Sequence, residues 1–125
     1  MGFLRRALDR LRQDEGERRA AGIREWCAAQ PGVTLISEVQ PRSVVRVAGV
    51  VEALRVRPRE GVPQIEAQVS DGTGSVTAVW LGRRTIPGLA LGVRMILDGR
   101  LGGAAGDMQI LNPRFEFGQR QGEQA

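Results

Sequence analysis

The chain has no histidine and a single cysteine, Cys27. A lone cysteine rules out an internal disulfide. Without histidine, the usual zinc sites and Ser-His or Cys-His catalysis are excluded. Cys27 follows Trp26 in a helical pattern and reads as a small buried hydrophobe. Scarce cysteine fits a reducing compartment. No apolar run is long enough to span a bilayer, and charges fill residues 5–19, unlike a secretory signal. The expected location is the cytoplasm, without membrane association. Lysine is absent too, so all 18 basic residues are arginine; against 14 acidic residues they leave a net charge of +4. Arginine grips phosphate in bidentate fashion and stacks on bases better than lysine. A GC-rich coding preference would give the same usage, so the positions of the arginines matter more than their number.

What is present suffices for one domain with extensions. A chain of 125 residues buries roughly two thirds of its unfolded surface and needs no metal or disulfide to fold. Its organising stretch is residues 64–81. Ile65, Ala67 and Val69 alternate with polar residues, residues 75–81 are rich in β-branched and apolar side chains, and Asp71-Gly72-Thr73-Gly74 lies between. An Asp-Gly pair between two such runs predicts a hairpin, because glycine accepts the positive φ of a tight turn.

Upstream, Phe3, Leu4, Ala7, Leu8 and Leu11 form a helical stripe opposite Arg5, Arg6, Asp9, Arg10 and Arg12. Gly16 weakens this helix, and residues 17–29 resume it with Ala20, Ile23, Trp26 and Cys27 on one face, ended by Pro31-Gly32. One bent helix or two short ones satisfy the pattern. The apolar stripe needs a partner, either an open barrel end that it caps or a second protein surface. Residues 33–43 read as a connector or a leading strand end.

Residues 44–57 form a long strand with Val45, Val47, Gly49, Val51 and Ala53 on one side, and Gly49 marks a bulge or bend. Residues 58–63 are a proline-bounded loop. Residues 83–88 are a short connector with room for one helical turn. A fourth strand spans residues 93–101, with Val93, Met95, Leu97 and Leu101 inward and Arg94, Asp98 and Arg100 outward. A flexible turn covers 102–107, a fifth strand 108–111, and Phe115 and Phe117 pack the exit. Residues 119–125 are polar and expected to be disordered. The predicted organisation is a helical extension over 1–32, a barrel over 33–118 and a tail over 119–125.

Five strands closed by a hairpin suit an OB barrel, and equally an SH3-like one. A resemblance separates them. It rests on Val47-Ala48-Gly49-Val50-Val51, Val69-Ser70-Asp71-Gly72-Thr73-Gly74, Val79-Trp80, and Met108-Gln109-Ile110-Leu111-Asn112-Pro113 with Phe115 and Glu116. Through these, residues 44–117 resemble bacterial nucleic-acid-binding OB domains, in particular the wedge domain of RecG-type DNA helicases and small stand-alone actinobacterial OB proteins. RecG-type wedges place tandem aromatics and then asparagine after the third strand, whereas here Trp80 is followed by Leu81-Gly82. The chain carries no GxxxxGK[ST] phosphate loop, so any unwinding role would need another protein. The expected fold is mainly β, a five-stranded Greek-key OB barrel with an N-terminal amphipathic α-helical extension.

In such a barrel, ligand lies over strands two and three between the flanking loops. Arg55, Arg57 and Arg59 fall in the first of these, Arg83 and Arg84 follow the third strand, and Arg46, Arg94 and Arg100 point outward. Single-strand binders need a basic groove for phosphates and flat groups for bases, and Trp80 is the aromatic placed to stack. The expected contact set is Arg46, Arg55, Arg57, Arg59, Trp80, Arg83, Arg84 and Arg100. Alternation equally places Trp80 in the core, and Glu66 opposes a phosphate passing over it. With neither paired carboxylates nor a nucleophile beside a base, the chain reads as non-catalytic and cofactor-free. Two functions remain: binding of single-stranded or branched DNA, with RNA as an alternative, or a protein-interaction module that dimerises or docks through residues 3–29.

Overall fold

The computed structural model describes residues 2–103 and 107–118. The expected tail over 119–125 and residues 104–106 of the expected turn lie outside the described residues. A long first strand, β1 (Val44–Arg59), precedes the central hairpin, which forms as the sequence predicts from β2 (Val62–Ser70) and β3 (Ser75–Leu81). Ile65, Ala67 and Val69 pair in register with Trp80, Ala78 and Val76, and all six are buried. Asp71 fixes the turn. Its Oδ1 accepts from the Thr73 and Gly74 N–H groups and the Thr73 hydroxyl, while its Oδ2 accepts from the Ile36 N–H at 2.8 Å. One carboxylate thus ties the β2–β3 turn to the segment before β1, which is irregular apart from a short 3-10 turn, Ile36–Glu38.

The ring closes through β4 (Arg94–Gly102) and β5 (Gln109–Leu111). The order is β1-β2-β3-β5-β4, with β4 back on β1; β3 and β5 run parallel and the remaining pairs antiparallel. This is the five-strand closure of an OB barrel. Met95, Leu97, Leu101 and Ile110 join the hairpin's inward residues in its core. A sixth strand, β6 (Arg114–Phe117), which alternation did not predict, continues past Asn112-Pro113 and pairs with the first half of β4.

Four further expectations are corrected. The bulge in β1 lies at Glu52, between Val51 and Ala53, rather than at Gly49. Gly49 instead serves close approach, since a Cβ there would collide with Val69 Cγ1 and sit 2.8 Å from the Ser70 carbonyl oxygen. Residues 58–63 are not a loop. β1 and β2 run on as a ribbon to a two-residue turn, Glu60 and Gly61, both at positive φ (52° and 80°), the signature of a type I′ hairpin. The connector 82–93 has turns but no helical turn; it is anchored by buried Ile86.

The fourth correction concerns the N-terminal segment, which is one continuous helix, α1 (Gly2–Ala29). Gly16 costs about 1 kcal/mol against alanine, too little to break a helix flanked by Asp14-Glu15 and Glu17-Arg18-Arg19-Ala20. It does not cap a barrel end. Only its last turns dock, with Ile23, Trp26 and Cys27 against Ala48, Ile96 and Val33 on the outer side of β1 and β4. Arg94 lies over the Trp26 ring, 5.4 Å from its centroid. Residues 2–19 are exposed throughout.

Candidate nucleic-acid interface

The bulge at Glu52 sets which way the arginines face. Before it, odd-numbered residues of β1 point inward; after it, Leu54 and Val56 pair with inward Ala67 and Ile65. Arg55, Arg57 and Arg59 therefore share the outer face with their partners Glu66, Gln64 and Val62. That face continues across the sheet through Val79 and Leu81 of β3 to Gln109 and Leu111 of β5. α1 packs on β1 and β4 and leaves it open.

A groove of about 640 Å³ lies on this face between the β1–β2 ribbon and the β4–β5 end of the barrel. Arg59 supplies one wall and Arg100 with Arg42 the other, while Val79 and Leu111 give it an apolar floor beside Gln64 and Glu66. Arg59 of β1 and Arg100 of β4 are thus brought to one groove. Arg42 is an addition that the sequence did not flag. It sits at positive φ (68°) before β1, and its carbonyl accepts from Arg100 Nη1 at 2.8 Å. A larger depression of about 1260 Å³ adjoins, sharing Arg100 and Leu111, and contains Arg83 and Arg114.

The other expected contacts are placed differently. Arg55 lines a small separate recess with Glu66, Gln68 and Thr77. Arg57 lies 3.8 Å from Glu66 through its Nε and is half-exposed. Arg84 is exposed on the β3–β4 connector. Arg46 is committed to the fold: its guanidinium donates to Asp98 at 2.7 Å and to the Pro31 carbonyl at 3.0 Å, with Glu116 at 3.8 Å. Trp80 is withdrawn from the stacking set. It is 3 % exposed, its Nε1 donates to the Pro113 carbonyl at 3.2 Å, and its ring packs edge-on against Phe115. The groove lining contains no aromatic side chain, so any base there must rest on Val79, Leu111 and guanidinium planes.

The polar floor is unusual. Gln64 is only 6 % exposed although it lies on the outer face. Its Nε2 donates to Glu66 Oε1 at 2.8 Å, which leaves its own Oε1 buried and without a donor. Such an orphaned acceptor costs about 1–3 kcal/mol. Glu66 itself keeps few donors, the Gln64 amide and the distant Arg57. Alternation placed Glu66 outward; nothing in the sequence marks Gln64, because its burial comes from neighbours distant in the chain.

Burial pushes the Cys27 thiol up to about 11, with Asp71 acting in the same direction. That thiol is packed under α1, away from the groove, and stays protonated at neutral pH. Among the described residues, no group of three or more metal-ligating side chains is assembled, and no helix is long and apolar enough to cross a membrane.

Comparison with family models and with curated proteins gives no match for this chain. Among solved structures it is similar to a chain in the structure of RecG bound to a three-way DNA junction, with a TM-score of 0.57 and 18% identity over 72% of this chain. The match covers 13% of that chain. At this identity the likeness is one of fold: the barrel described above is also present in a much longer, DNA-bound protein.

Proposed function

We propose that this chain is a non-catalytic OB module that binds nucleic acid, single-stranded or branched DNA in the first instance, along the groove over β2, β3 and β5. The observation that carries the reading is the convergence of Arg42, Arg59 and Arg100 on one open groove, in the position where OB barrels hold oligonucleotides. The fold shared with the DNA-bound RecG chain supports it. Phosphates run along the arginine walls and bases turn toward the floor. With no aromatic platform, each base contributes less than the roughly 1–3 kcal/mol of aromatic stacking, so binding is electrostatic in the main. Fluorescence anisotropy with a labelled single strand and a three-way junction at low salt tests this. Saturable binding of either supports the reading, and its absence for both removes it.

A specific observation favours a second role. Phe3, Leu4, Leu8 and Leu11 are 84%, 67%, 55% and 60% exposed on the free end of α1, more apolar surface than a solitary helix keeps in water. We propose that this stripe docks on a second copy or another protein. Light scattering on the whole chain and on a version lacking residues 1–19 tests it, and an unchanged monomer mass in both rejects self-association.

A further inference from the structure

We propose that the groove reads guanine. The inference rests on the nucleic-acid reading above and concerns the pairing-edge chemistry of its floor. A carboxylate is out of place in a groove meant only for phosphates, yet Glu66 sits there, half-buried, beside Arg59 and Arg100. Its neighbour Gln64 donates to Glu66 Oε1 at 2.8 Å and so holds the carboxylate on the groove floor. The floor therefore offers the two acceptor oxygens of one partly exposed carboxylate, held in place by the Gln64 amide.

Bases differ in what they present to such a pair. The pairing edge of guanine carries two adjacent donors, N1–H and the 2-amino group. Adenine and cytosine carry one amino group next to a ring-nitrogen acceptor, and thymine and uracil carry one N–H flanked by two carbonyls. Against two acceptors, only guanine matches on both positions; the others bring an acceptor against an acceptor. Base edges in single strands are free to be read in this way, and Glu66 gains a role that a phosphate-only groove denies it.

The test uses the full chain and labelled thymine-rich single strands with guanine, adenine or hypoxanthine at the same few positions, in lithium buffer to keep guanine tracts unfolded. Hypoxanthine keeps N1–H and loses the 2-amino group. Guanine strands are expected to bind about tenfold tighter than adenine strands, the scale of one good bidentate pair, and hypoxanthine to lose most of that advantage. In Glu66→Gln the advantage falls below about twofold and thymine strands bind tighter, because one negative charge has left the groove. Equal affinity for guanine and adenine strands, or a guanine preference that survives E66Q, overturns base reading while the nucleic-acid reading stands. Failure of every strand to bind overturns both.

Discussion

Replacing Arg59 and Arg100 together by alanine should change how salt affects binding more than it changes the fold. Each neutralised phosphate contributes a slope of about −0.7 in log affinity against log salt for a single strand. Three arginines line the groove, Arg42, Arg59 and Arg100. If each meets one phosphate, the slope is about −2, and raising salt from about 50 to about 200 mM weakens binding by about 20-fold. Removing two leaves about −0.7, and the same change costs about threefold. Both side chains are exposed, so thermal stability should move by no more than about 0.5 kcal/mol. Anisotropy titrations at four or more salt concentrations give the slopes, and a melting curve checks the fold. A double variant with the native slope would refute the assignment of phosphates to this groove, and Arg46→Ala is the contrasting control. Its guanidinium is tied to Asp98 and Pro31, so it should lose about 1 kcal/mol of stability and keep the slope.

Three predictions concern the scaffold. The chain has no lysine, tyrosine or histidine, so Cys27 is the side chain that titrates between about pH 8 and 11. Its thiol is pushed from 9.0 up to about 11 in the fold; the unfolded chain therefore releases its proton first, and stability is full below about pH 9 and falls through pH 11, by about 2–3 kcal/mol at most. Denaturant titrations across that range should show the fall in the native chain and a flat profile in Cys27→Ala. Gly49→Ala drives a methyl into Val69 Cγ1 and to 2.8 Å from the Ser70 oxygen, and should cost about 1–3 kcal/mol, read as a lower denaturation midpoint. Asp71→Ala strips the acceptor from three backbone N–H groups and should cost about 3 kcal/mol, a loss that hydrogen exchange would show first at Ile36.

The inward set was legible because strand alternation is a local property. Ile65, Ala67, Val69, Val76 and Ala78 face the core as their spacing says, and Trp80, which the same spacing put inside, follows them. Asp71 was legible as a turn residue for the same reason. Its fourth bond, to Ile36, was not, since that partner lies 35 positions away. The ribbon at residues 58–63 was hidden by Pro58 and Pro63, which read as loop residues yet pair with each other in register. α1 was read as a helix, but its relation to the barrel depends on which outer surface accepts Trp26 and Cys27.

Local patterning located five of the six strands, most of their inward residues, the central turn and an excess of arginine. Which arginines share a groove was set by the closure of the barrel. An extra residue at Glu52 reverses the facing of everything after it in β1, and closing the ring sets Arg59 across a groove from Arg100 while binding Arg46 to Asp98. The physical reason is range: side-chain alternation is fixed between neighbours in the chain, whereas a groove wall is fixed by pairing between strands that the chain keeps far apart.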